Sequence, residues 1–157
     1  MKSFPKLVAS IIVCEFVGLI STPFTIASIS TWYAFLHKPP FSPPNWIFGP
    51  VWTTLYFLMG IAVYLVWIKG IKNKLVKRAL LLFVIQLFFN FLWSVLFFGL
   101  HSPILGLLDI SALLISIILT IITFYKISKV ASYILIPYLL WVSFATLLNA
   151  SIVLLNR

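Results

Sequence analysis

Acidic residues are almost absent from this chain. Asp and Glu together number 2 in 157 residues, against 11 Lys and Arg, and charged residues of both signs make up only 8%. A soluble domain carries about 25% charged residues, so this composition excludes a water-facing globule. Cysteine is nearly missing too: Cys14 stands alone, which rules out an intramolecular disulfide. Only two histidines occur, His37 and His101, in separate loop-like stretches without a neighbouring carboxylate or thiol. That arrangement does not make a metal site. With 6 glycines and no glycine-rich phosphate loop, nucleotide chemistry has no support either. Hydroxyls lie in apolar segments without a base, so hydrolytic catalysis has no support.

What is present is apolar and aromatic. Hydrophobic residues reach 63% and aromatic residues 17%, with a mean hydropathy of +1.19. Disorder needs the opposite composition. The chain therefore reads as an all-α integral membrane protein, one domain over residues 1–157. The basic residues cluster at Lys2 and Lys6; Lys38; Lys69, Lys72, Lys74, Lys77 and Arg78; Lys126 and Lys129; and Arg157. A hydrocarbon core of about 30 Å takes roughly 20 helical residues. The uncharged stretches predict spans near 7–26, 46–68, 79–99, 103–125 and 131–154. The run from Arg78 to Lys126 is too long for one crossing and divides at Gly99-Leu100-His101-Ser102-Pro103, a turn-forming stretch.

Five spans put the termini on opposite sides. The N-terminus and the 69–78 and 126–129 loops share one side and nine basic residues; the other side holds Lys38 and Arg157. The positive-inside rule then sets the N-terminus in the cytoplasm and the C-terminus outside. Topology and anionic headgroups account for the basic excess, and nucleic acid is not an expected partner. Lys2 and Lys6 before an apolar run resemble a signal peptide. Glu15 within that run favours an uncleaved helix.

The first connection is long and unusual. Residues 31–46 hold Trp32, Tyr33, Phe41 and Trp46, together with Pro39, Pro40, Pro43 and Pro44. Prolines fix φ and remove donors, so the loop is expected to be stiff and extended. An aromatic belt at the membrane surface explains the rings but not the proline density, which favours a lid over a pocket between helices.

Helical spacing sets three faces: Trp52, Tyr56 and Met59; Gln86, Asn90, Trp93 and Phe97; Pro137, Trp141, Phe144 and Leu148, flanked by Tyr138, Ala145 and Asn149. Gln86, Asn90 and Asn149 are costly against lipid and should turn inward, as interhelical hydrogen bonds or as cavity lining. Pro137 is expected to kink the last span. Such aromatic-polar faces suit a flat, largely apolar ligand. Glu15 and Asp109 both fall within spans, where a structural hydrogen bond is favoured over a proton relay. Asp109 shares a face with Ala112, Ser116 and Thr120, a small-residue ridge for packing within the bundle or between two copies.

The strings Trp32-Tyr33, Leu36-His37-Lys38-Pro39, Pro43-Pro44-Asn45-Trp46 and Gly49-Pro50-Val51-Trp52-Thr53-Thr54-Leu55-Tyr56 resemble the TspO/MBR family, the tryptophan-rich sensory proteins that include the mitochondrial translocator protein. So do Gln86-Leu87, Asn90, Trp93, Phe97-Phe98-Gly99, Asp109, Pro137-Tyr138, Trp141, Phe144-Ala145-Thr146 and Leu148-Asn149, in order and at family spacing. The resemblance implies a five-helix bundle, often a homodimer, that binds porphyrins in a pocket beneath the first loop. It implies light-dependent protoporphyrin IX degradation in some members, attributed to tryptophans matching Trp52 and Trp141. Trp32, Tyr33, Pro43, Asn90, Ala145 and Asn149 would be their pocket or lid neighbours. Joined to the inward faces, the expected ligand-binding set adds Tyr56, Gln86, Trp93 and Phe144, with Lys38, Pro39, Pro44 and Trp46 in the lid. Lys38 and His37 would meet the propionates at the mouth.

No cofactor is required; porphyrin is the expected ligand or substrate, in sensing, scavenging or stress response. Transport of tetrapyrroles or other small hydrophobic molecules is the alternative. The Tyr and basic residue of the animal sterol-recognition stretch are here Ala150 and Leu154. This departure and the charge bias favour a prokaryotic plasma membrane over the mitochondrial outer membrane.

Overall fold

The computed structural model describes residues 3–157; Lys2, one of the N-terminal basic residues, lies outside them. The described residues form seven α-helices: α1 (Phe4–Ile29), the short α2 (Trp32–Phe35), α3 (Phe48–Trp67), α4 (Lys74–Ser94), α5 (Pro103–Tyr125), α6 (Lys129–Ile134) and α7 (Ile136–Leu155); all but α2 belong to five membrane-length rods, α6 and α7 sharing the last. All five rods are long and apolar enough to cross a bilayer. A backbone buried in lipid must satisfy its own hydrogen bonds, which helices do.

Helix starts are written where the sequence turns polar. Asn73 accepts from Leu75 N at 2.8 Å, Ser102 from Leu105 N at 3.3 Å and Ser128 from Ala131 N at 3.3 Å. Each satisfies one donor that the first helical turn leaves free.

The rods form a ring. α1 packs against α3 and α4, α4 against α5, and α5 against α6 and α7; α3 closes the ring chiefly through α6. Small residues make the tightest crossing: a Cβ on Gly60 would sit 2.6 Å from Ile11 Cα. Asp109, Ser116 and Thr120 are buried within the single chain, so the small-residue ridge of α5 packs inside the bundle. The hydrogen bond expected for Asp109 is not made. Both its carboxyl oxygens are buried without a partner among the described residues.

Three local features depart from uniform rods. The first connection is not extended throughout, because α2 and a 3₁₀ turn at Asn45–Ile47 occupy part of it. The end of α4 widens into a π-helical turn at Val95–Gly99, with Leu100 N donating to Val95 O at 2.8 Å. The last span breaks at Leu135, between α6 and α7. Pro137 supplies the cause, since it brings no N–H for the carbonyl four residues back and its ring crowds that carbonyl. The kink expected at Pro137 is thus a full interruption. Its consequence is spatial: α3 touches α6 but diverges from α7, and side chains fill the gap.

Candidate functional site

The polar residues of the three inward faces meet first in the core. Tyr56 donates to Asn90 Oδ1. Asn90 Nδ2 donates to Tyr138 at 2.8 Å, and Tyr138 donates to Gln86 Oε1 at 2.7 Å. Gln86 Nε2 ends the chain against Met59 Sδ at 4.0 Å. Beside it, Trp93 Nε1 donates to Asn149 Oδ1 at 3.1 Å, and Asn149 Nδ2 to Pro103 O at 2.8 Å. These bonds tie α3, α4, α5 and α7 together. They also commit Gln86 to structure: it is buried and borders neither cavity described below.

Two cavities lie on either side of an aromatic wall. The outer one measures about 390 Å³, within the range of about 300–1,000 Å³ typical of small-molecule sites. α1, the 3₁₀ turn, α3 and α4 enclose it, with Glu15, Thr22, Trp46, Trp52, Tyr56 and Asn90 in its lining. Leu19 and Ile26, also in that lining, are 68% and 65% exposed on the lipid-facing side of α1. The outer cavity therefore opens sideways, within the span of the bilayer. The inner cavity is only about 20 Å³, room for about one water. It lies among Tyr33, Trp52, Trp93, Phe97, Trp141 and Asn149. Phe48, Trp52, Trp93 and Phe98 border both spaces and separate them.

Two residues that border the inner cavity carry unanswered donors. Tyr33 Oη and Trp141 Nε1 are buried with no hydrogen-bond partner among the described residues. Buried polar groups without partners cost about 1–3 kcal/mol each. Burial pushes the Tyr33 phenol above its ordinary pKa, so it remains a donor at neutral pH.

Of the expected ligand-binding residues, Trp52, Tyr56, Asn90 and Trp93 border the outer cavity; Tyr33, Trp52, Trp93, Trp141, Ala145 and Asn149 border the inner one. Trp32, Pro43, Gln86 and Phe144 border neither. Trp32 stacks on His101 at 4.7 Å and 18°, and His101 Nε2 lies 2.9 Å from Ser28 Oγ, which donates to Phe98 O at 2.8 Å. Phe144 packs on Trp141 and meets Phe41 of the first loop, with ring centroids 5.6 and 6.2 Å apart.

The first loop is anchored by its own carbonyls and by the C-terminal end of α7. Lys38 Nζ donates to the carbonyls of Tyr33, Ala34 and Leu36 and lies over the Tyr33 ring. Pro39 is buried, while Trp46 lines the outer cavity. His37 gives its backbone to Asn156, which accepts from His37 N at 3.0 Å and donates to His37 O at 2.9 Å.

Sequence reasoning left α1 out of the site, yet it forms a whole wall. The signal was there: Glu15, Gly18, Thr22, Thr25 and Ile29, all in the lining of the outer cavity, recur at spacings of three and four along one stripe. Phe48 and Phe98 also belong to the partition and were not expected.

Fold and site together define an integral membrane helical bundle with a ligand-sized cavity opening within the membrane. Residues 10–155 match the TspO/MBR family. The chain is 53% identical to the tryptophan-rich protein TspO of Archaeoglobus fulgidus, over 96% of this chain and 97% of that protein. It is 45% identical to the tryptophan-rich protein TspO of Chlorobaculum tepidum, over 99% and 98%. With the human translocator protein it shares 41% identity over 75% of this chain and 70% of that one. The chain belongs to the TspO/MBR family.

Proposed function

We propose that this protein binds tetrapyrroles such as protoporphyrin IX, in sensing, scavenging or stress response. The observation that carries the reading is the aromatic partition of Phe48, Trp52, Trp93 and Phe98, with unanswered donors at Tyr33 and Trp141 behind it. A tetrapyrrole offers a flat apolar face for the tryptophans and carboxylate or carbonyl acceptors at its edge. The inner cavity is far too small for the ring, so the macrocycle occupies the outer cavity against Trp52. A shift of the Trp52 and Phe48 side chains joins the two spaces and brings Trp141 within reach. The lateral mouth suits a ligand that arrives from the bilayer. The basic bias of the loops supports an N-terminus in the cytoplasm of a prokaryotic cell.

A dim-light titration of the purified protein with protoporphyrin IX, followed by tryptophan fluorescence, tests this. Saturable quenching is expected, weakened about tenfold in the Trp52→Phe/Trp141→Phe variant, which corresponds to about 1.4 kcal/mol of binding. Non-saturable quenching identical in both proteins means that porphyrin only partitions into the micelle, and it overturns the reading. Illumination of the saturated complex, with free porphyrin in the same detergent as control, then tests whether these tryptophans support photodegradation.

A further inference from the structure

We propose that Glu15 makes the outer cavity selective for flat apolar ligands that carry an ammonium or other nitrogen-bound proton. The proposal rests on the reading of this cavity as a ligand site and adds the charge that its occupant should bear.

Glu15 lies eleven residues from the first residue of α1 and fourteen from the last, about 16 and 21 Å along the axis at 1.5 Å per residue. That is close to the middle of a hydrocarbon core of about 30 Å. No cation or hydrogen-bond donor among the described residues meets its carboxyl. Lys6, the described basic residue on the same helix, is more than two turns away with its Nζ over the Trp67 ring, 5.3 Å from the centroid. A carboxyl at this depth is costly unless something pairs with it, and it lines the cavity.

Four hydroxyls of the lining have already given their protons away. Ser21 donates its hydroxyl proton to Val17 O, Thr22 to Gly18 O and Thr53 to Gly49 O. Tyr56 donates to Asn90. Each of these oxygens lines the cavity with only lone pairs to offer. Pro23 lacks an N–H, so the carbonyl of Leu19, another lining residue, has no helical partner. Thr25, Ser94 and Trp52 bring O–H and N–H groups to the same lining, so the feature that singles out a cationic occupant is the Glu15 carboxyl itself, an acid in the middle of the span with no basic partner among the described residues. Lipid headgroups do not supply it, because Glu15 is too far from either surface. The occupant is a small amphiphile that enters through the lateral mouth, with its ring on Trp52 and its amine at Glu15.

9-Aminoacridine, cationic at neutral pH, and acridine, its neutral analogue, form a matched probe pair. Both are titrated into the full chain in neutral detergent, following ligand fluorescence, with wild type and Glu15→Gln compared. Wild type is expected to bind 9-aminoacridine saturably and more tightly than acridine. Glu15→Gln should weaken 9-aminoacridine about tenfold, the loss expected for a charge-assisted hydrogen bond, and leave acridine within about twofold. Equal affinity of wild type for the two probes overturns the proposal without recourse to any variant, as does equal binding of 9-aminoacridine to wild type and Glu15→Gln. Protoporphyrin IX is titrated in the same preparation. Saturable porphyrin binding alongside non-selective acridines removes the amine specificity and leaves the porphyrin reading standing, whereas the reverse pattern removes only the porphyrin.

Discussion

Tyr138 carries more of the core than any other single hydroxyl. It accepts from Asn90 and donates to Gln86, so Tyr138→Phe leaves Asn90 Nδ2 and Gln86 Oε1 buried without partners. Interhelical hydrogen bonds in membranes average only about 0.6 kcal/mol, but orphaned buried groups cost more. Tyr138→Phe is expected to lower stability by about 1–3 kcal/mol, and Tyr56→Phe, which orphans one acceptor, by less. Thermal unfolding in detergent reads the order. Glycines offer a second contrast. Gly60→Ala forces a methyl into the Ile11 backbone, whereas a Cβ on Gly49 meets nothing within 4 Å. The first substitution is expected to cost about 1–3 kcal/mol, the second to be neutral or slightly stabilising. At this scale the sequence was a partial guide. Asn90 and Asn149 were legible as inward because lipid offers them no partner. That Asp109 would remain unpartnered, or that Glu15 would face a cavity, was not legible, because both depend on which neighbour a rotated helix presents.

Helix boundaries followed from charge and hydropathy, since lysines and prolines mark where the apolar runs stop. The internal irregularities did not. A π-turn has no residue signature beyond its helix, and α2 lies inside a stretch whose prolines suggested only extension. The break at Leu135 was half legible through Pro137. Pro137→Ala restores an N–H donor and allows α6 and α7 to join. The joined helix is expected to be no less stable, yet to close the divergence from α3 and weaken protoporphyrin binding several-fold; paired melting and titration measurements check both halves. The first loop has its own tether. Asn156→Ala removes both bonds to the His37 backbone, so exchange of the His37 amide should accelerate by about tenfold, with little change in melting temperature. Hydrogen exchange read by mass spectrometry on peptides around residue 37 measures it.

The whole molecule divides its charge by side, and that division can be read chemically. Cys14 is 1% exposed, so an introduced cysteine is the sole accessible thiol. In intact cells a membrane-impermeant maleimide is expected to label Arg157→Cys and not Lys72→Cys; the reverse pattern would invert the topology. Among the spans, the site was legible as a set of faces but not as two spaces. Spacing along a helix tells which side chains point together, while the volume between them depends on how far α3 and α7 diverge.

The π-turn at Val95–Gly99 has a further consequence. Consecutive residues of an α-helix point about 100° apart, yet Phe97 and Phe98 are both buried, Phe97 stacked on Trp93 at 5.1 Å and Phe98 edge-on to it at 5.7 Å. The wider turn slows the rotation of the chain, so that Phe98 joins the partition while its neighbour Phe97 lines the inner cavity. Loss of one residue here would return the segment to ordinary winding and swing everything beyond it, carrying Gly99 away from Phe24 and His101 away from Ser28. The shape of the ligand chamber is thus held in a residue count: a one-codon deletion in this segment, more than a change of side chain, would remodel the cavity.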